Sequence, residues 1–256
     1  MLLHMHEWGD PSAPPLVCLH GISAHAGHFR QLAEERLVSR YHVLAPDLRG
    51  HGESAHDPPW NIATHLDDVL ETIRDAAVDR APWIGMSFGG RLVLELAARE
   101  PHLIERVVLL DPAIQILPHV GHDMAEDTWR RSSFDTVEAA VESRLATGPA
   151  TPRAYVEQDR REQLVRAPDG RYYFRFCVSA VVTAYSELTT DPPPPETLRV
   201  PTLLIYAPDF GLVRAEQVDA YSVALGDLVE TVPVPGGHIV VWDAYEQTAN
   251  AVDAFL

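Results

Sequence analysis

The chain has no lysine: all 20 of its basic residues are arginine. A catalytic lysine Schiff base is therefore excluded, as is the lysine that grips phosphate in a Walker-type loop. Positive charge is scarce overall. Against 37 acidic residues the formal net charge is −17, which argues against nucleic acid and anionic membrane surfaces as partners. Cysteine is nearly absent, with only Cys18 and Cys177. Cys18 falls in an apolar run that reads as a buried strand, so a disulfide is not expected and a reducing compartment is. No apolar run reaches membrane-spanning length, and Met1 to Asp10 lacks the basic start of a targeting signal. The expectation is a cytoplasmic protein.

At 256 residues the chain is long enough to bury the core of one large domain. Short runs rich in Val, Ile and Leu alternate with helical patterns. Leu2 to Trp8, Leu16 to Leu19, Val43 to Ala45, Ala81 to Ile84, Val107 to Leu110, Thr202 to Tyr206 and Leu228 to Val232 read as strands. Arg30 to Ser39, the stretch from Asn61 to about Asp75, Leu92 to Arg99 and Trp242 to Leu256 read as helices, with Asn61 as an N-cap. This alternation predicts an α/β fold with a mostly parallel sheet flanked by helices. Between Asp111 and Pro195 no clean strand is apparent. Helical patterns at Ser133 to Thr147, Pro152 to Val165 and Phe174 to Leu188 suggest an inserted helical cap over residues 113–195, with 1–112 and 196–256 forming the core. Most of the cap aromatics are expected in its own core, and a few in an apolar cavity against the sheet.

Gly85-Met86-Ser87-Phe88-Gly89 carries the functional signal. A serine between two glycines, after an apolar run and before an amphipathic one, has the pattern of a nucleophile elbow. Such a serine needs a base, and the base needs an orienting acid. Of 13 histidines, His238 stands in a loop between the last strand and the closing helix, where a base is needed. Two acids follow strands at their C-terminal ends, Asp209 and Asp111. Asp209, between Ser87 and His238 in the chain, is the expected acid, while Asp111, followed by Pro112, suits a turn into the cap. Phe88, directly after the serine, can offer a backbone N–H to an oxyanion. His25 and His28 have metal-ligand spacing, but no third ligand clusters with them in sequence, which favours packing roles.

His20-Gly21, the run Asp47 to Ser54, the elbow, Pro201 to Asp209 and Gly237-His238 together resemble the α/β-hydrolase fold superfamily in its capped, esterase-like branch. The segment Ala207-Pro208-Asp209 departs from the Gly-x-x-Asp common in that family. The resemblance implies that Ile22 supplies the second oxyanion N–H and that Asp47 to Ser54 is a structural loop beside the site. It also implies a serine hydrolase cleaving a small carboxylic ester through an acyl-enzyme, with neither metal nor organic cofactor. Lactonase, carbon–carbon bond hydrolase and perhydrolase chemistries use the same triad and stay open. So does a non-catalytic small-molecule receptor built on the fold.

Overall fold

The computed structural model describes residues 1–148 and 151–256. Its main sheet comprises β1 (Met5–Trp8), β2 (Pro15–Leu19), β3 (His42–Pro46), β4 (Ala81–Met86), β5 (Ile104–Leu110), β9 (Thr202–Tyr206) and β10 (Val229–Pro233), in the order β1-β3-β2-β4-β5-β9-β10. Only β1 runs antiparallel, against β3; every other pairing is parallel. All six residues of β4 are buried, as a central strand covered on both faces requires. The mostly parallel α/β sheet expected from the alternation of strands and helices is therefore present, as is the α/β-hydrolase architecture that the resemblance implied.

Two apolar layers cover the sheet. On one face pack α2 (Ile62–Asp75) and α3 (Phe88–Arg99), burying Leu66, Val69, Leu70, Ile73, Leu92, Val93 and Leu96. Asn61 caps α2 as predicted, its side chain accepting the Thr64 N–H at 2.9 Å. The other face is covered by α9 (Val240–Asp243), α10 (Tyr245–Phe255) and the stretch Ala26 to Leu37. That stretch is not one regular helix. It opens with a 3₁₀ turn at Ala26–Phe29, continues as the single turn α1 (Arg30–Leu32), and widens to a π turn at Ala33–Leu37. A further helix, α8 (Ala215–Leu225), lies between β9 and β10, where the sequence reading placed none.

The insertion after β5 holds α4 (Pro118–Arg130), α5 (Val137–Thr147), α6 (Arg153–Gln163) and α7 (Val178–Glu187). It also holds strands the helical pattern concealed. β6 (Ser133–Phe134), β7 (Leu164–Arg166) and β8 (Tyr172–Phe174) form a small antiparallel sheet in the order β6-β8-β7. Strands of two or three residues are too short to show a period. Arg91 of α3, 1% exposed, staples both ends of this insertion. Its guanidinium donates to the carbonyls of Ile114 (2.9 Å), Thr190 (3.2 Å) and Asp191 (2.9 Å), and to Glu95 at 2.8 Å. No helix among the described residues is long and apolar enough to cross a membrane.

Candidate active site

The turn after β4 holds Ser87 at φ 53°, ψ −116°. Positive φ is costly for a residue with a Cβ, and it persists only where the surroundings enforce it. Here Ser87 N–H donates to Leu110 O at 3.1 Å, and Ser87 O accepts from Arg91 N (3.2 Å) and Ala113 N (2.9 Å). The flanking glycines permit the turn. A Cβ on Gly85 would lie 2.6 Å from Gly89 O, and one on Gly89 would lie 2.7 Å from His20 O. The loop after β2 closes on the serine from the other side: a Cβ on Gly21 would stand 2.9 Å from Ser87 Cβ. Ile22 follows in that loop, half-buried, and Phe88 opens α3 at the turn. Both N–H groups predicted for an oxyanion thus belong to segments next to Ser87.

His238 lies in the loop after β10, and its Nδ1 stands 2.6 Å from Asp111 Oδ2. The expected partner was Asp209, and here the geometry departs from the sequence reading. Asp111 is completely buried, whereas Asp209 is exposed and is not bonded to His238. The chain turns sharply at Asp111 (φ 40°). Its N–H donates to Ile205 O at 2.7 Å, and its Oδ1 accepts the Ala207 N–H at 3.1 Å. Asp111 therefore reaches across the end of β9 toward the loop of β10, a path that strand order alone does not reveal. Beyond Ala207 the chain turns outward, with Phe210 N–H and Gly211 N–H both donating to Ala207 O. What this turn delivers to His238 is a ring: Phe210 stacks on the imidazole with centroids 5.1 Å apart and planes at 13°. Because Leu110 takes the Ser87 N–H and Asp111 follows it, the serine, the acid and the histidine share one end of the sheet.

The Asp47 to Ser54 loop behaves as a scaffold. Asp47 Oδ1 accepts from Ala26 N at 2.9 Å, and Oδ2 accepts from Glu53 N at 3.0 Å and lies 3.2 Å from His6 Nε2. Burial works to raise the Asp47 carboxyl, but the His6 contact, the nearby His20 and the two backbone N–H groups hold it well below the usual carboxylate range. The same loop reaches the insertion after β5, with Cys177 N–H donating to Gly50 O at 2.7 Å.

Two buried histidines brace the loop carrying Ile22. His20 Nε2 accepts the Leu48 N–H (2.9 Å), so its proton sits on Nδ1 and is donated to Gly21 O (2.8 Å). His51 Nε2 accepts the Ser23 N–H (3.2 Å), and its Nδ1 donates to Arg49 O (3.1 Å). Burial pushes each down to about 3 from 6.5. Protonation would also remove the lone pair that receives a backbone N–H. In the unfolded chain both titrate near 6.5, so their contribution is intact above that pH. It is lost as the pH falls toward 3, at about 1.4 kcal/mol per pH unit for each histidine. The expected result is a melting temperature that drops steeply from pH 6.5 to pH 4.5. In the double variant His20→Asn/His51→Asn, thermal melts across that range should show a shallower decline.

His25 and His28 do acquire a third partner. Asp159, from α6 of the insertion, lies 3.3 Å from His25 Nε2 and 3.0 Å from His28 Nε2. More than 130 residues separate it from either histidine, so no spacing pattern could have signalled it.

Comparison with known proteins agrees with the fold. Residues 14–245 match the family described as alpha/beta hydrolase fold. The chain belongs to that family. Lipase LipV of Mycobacterium tuberculosis is 27% identical over 190 residues, covering 74% of this chain and 72% of its own. A putative esterase/lipase of Haemophilus influenzae is 25% identical over 249 residues, covering 96% and 84%. Among solved structures, E-2-(acetamidomethylene)succinate hydrolase superposes with a TM-score of 0.88 at 25% identity, covering 99% of this chain and 94% of that one.

Proposed function

We propose that the protein is a serine hydrolase that cleaves a carboxylic ester of a small substrate through an acyl-enzyme on Ser87. The observation that carries this reading is the 2.6 Å contact of buried Asp111 with His238 Nδ1, on the same sheet end as the strained Ser87. Holding Nδ1–H leaves Nε2 free as the base. In this mechanism Ser87 Oγ attacks the ester carbonyl carbon and His238 Nε2 takes the hydroxyl proton. Asp111 stabilises the imidazolium so formed. The N–H groups of Ile22 and Phe88 bind the carbonyl oxygen as it becomes an oxyanion. His238 then returns its proton to the departing alcohol. A water activated by the same imidazole releases the acid and regenerates Ser87. The lipase and esterase relatives support hydrolysis as the reaction class, and an ester as its substrate. Apart from the hydrolytic water, every group acting on the ester in this scheme is a side chain or a backbone N–H of the chain itself.

A fluorophosphonate probe tests the reading directly. It should label the wild-type protein at Ser87 and leave Ser87→Ala unlabelled. Absence of labelling in a folded wild-type sample would favour a receptor built on the hydrolase fold.

The cap also makes an expectation about size. A site closed by an insertion of this length suits short acyl groups, about C2 to C8, rather than long triglycerides. In a panel of p-nitrophenyl esters, kcat/KM should peak within that range. Faster turnover of an emulsified C18 triglyceride than of a soluble C4 ester would count against it.

A further inference from the structure

We propose that Asp159 is a positioning residue: it latches the cap onto the loops that carry Ile22 and His238, and thereby sets how well the site handles substrates that extend under the cap. The proposal rests on the serine-hydrolase reading for its kinetic consequence, but its structural part is independent of it.

His25, His28 and Asp159 are 7%, 6% and 7% exposed. Three such groups within 4.8 Å of one another have the makings of a metal site, so the proton positions decide. Gly27 N–H donates to His25 Nδ1 at 3.3 Å, which makes Nδ1 an acceptor and puts the proton on Nε2, facing Asp159. A cation on Nε2 would drive that proton onto Nδ1, against the Gly27 N–H. The other carboxylate oxygen is already taken by the Arg160 guanidinium, whose charge repels a cation. Two N–H donors and one guanidinium satisfy the carboxylate as a buried ion pair, while His28 Nδ1 and Arg160 Nε are left without a partner. Asp159 accordingly stays ionised. Burial opposes its charge, but His25, His28 and Arg160 together hold the carboxyl far below its ordinary range.

The partners of Asp159 lead to both halves of the catalytic machinery. His25 caps the turn Ala26–Phe29, which follows directly on the His20 to Ser23 loop. His28 packs on Trp242 of α9, four residues beyond His238, with centroids 4.2 Å apart. Tyr155 of α6 stacks on the same indole at 5.8 Å and 3°. Glu162 of α6 pairs with Arg30 at 2.7 Å. Tyr155, Asp159 and Glu162 follow i, i+4, i+7 spacing, so one face of α6 forms the seam. With the carboxylate removed, two imidazole N–H groups and a guanidinium lose their acceptor, and the seam opens there.

The test compares the full-length wild type with Asp159→Ala, Asp159→Asn and Tyr155→Leu. Tyr155→Leu loosens the seam without stripping a buried charge, and so covers the case in which Asp159→Ala does not fold. kcat and KM are measured for p-nitrophenyl acetate and hexanoate, and amide hydrogen exchange is followed in α6 and in residues 22–28 and 238–242. Asp159→Ala should lose ~10-fold or more in kcat/KM on hexanoate and less than ~3-fold on acetate, since small misplacements cost rate only where the cap positions the substrate. Asp159→Asn should recover part of the loss, because its carboxamide oxygen still accepts an N–H. Exchange should quicken in all three segments at once. Equal losses on both esters, or unchanged exchange, would overturn the latch. So would a stoichiometric metal in the purified protein whose chelation alone quickens α6. If the wild type takes no fluorophosphonate, the hydrolase reading fails, and the exchange measurements still decide the latch.

Discussion

Ser87→Ala is expected to abolish ester hydrolysis, with kcat/KM falling on the order of 10³-fold or more. The elbow presents this hydroxyl at the sheet end where Asp111 holds His238, and alanine there cannot form an acyl-enzyme. Residual turnover would come from oxyanion donors and water alone, which supply only part of the rate. The fold should persist, because Ser87 is held through its backbone N–H and carbonyl, which alanine retains. Circular dichroism and the melting temperature should match the wild type. A purified variant retaining more than about a tenth of wild-type turnover would place the nucleophile elsewhere, given the size of loss that removing a nucleophile causes.

The second large effect separates the two acids. Asp111→Asn should cost roughly 10⁴-fold in turnover, the loss seen when the orienting carboxylate of a serine protease becomes an amide. The amide can offer N–H to Nδ1, which favours the tautomer with its proton on Nε2, where the lone pair is needed. It also removes the negative charge that stabilises the imidazolium. Asp209→Asn should change turnover by no more than a few-fold, since an exposed side chain away from Nδ1 has little electrostatic leverage on the ring. Its effect would act through the neighbouring Phe210, whose ring lies on the imidazole. Steady-state kinetics of both variants on one p-nitrophenyl ester make the comparison. A crippled Asp209→Asn beside an active Asp111→Asn would return the acid to the loop after β9 and leave the Ser87 assignment standing.

Both outcomes bear on what could be read from residues alone. The elbow was legible because its chemistry is local: glycines two residues either side of a serine, between an apolar run and an amphipathic one, specify a strand, a turn and a helix within the single stretch 81–99. Asn61 and α2, the buried strands β2, β4, β5 and β9, and the loop position of His238 were legible for the same reason. Each depends on periodicity or on a cap next to it in sequence. β6, β7 and β8 were not, because they are too short to carry a period and lie beside helical patterns that do.

The choice between Asp111 and Asp209 depended on no local signal. Both are aspartates just past a strand, and both lie at the correct sheet end. Which one meets His238 follows from the backbone turning at Asp111, from its side chain crossing the end of β9, and from the outward turn after Ala207. The meeting of Asp159 with His25 and His28 likewise exists only once α6 is packed against the stretch after β2. Sequence by itself determined the α/β-hydrolase class and placed Ser87 in a strand–turn–helix and His238 in the loop after the last strand, because short-range patterns encode strand, turn and helix. Tertiary structure alone decided which carboxylate each histidine met, because a buried charge takes the partner that the packed backbone brings to it, whatever their separation along the chain.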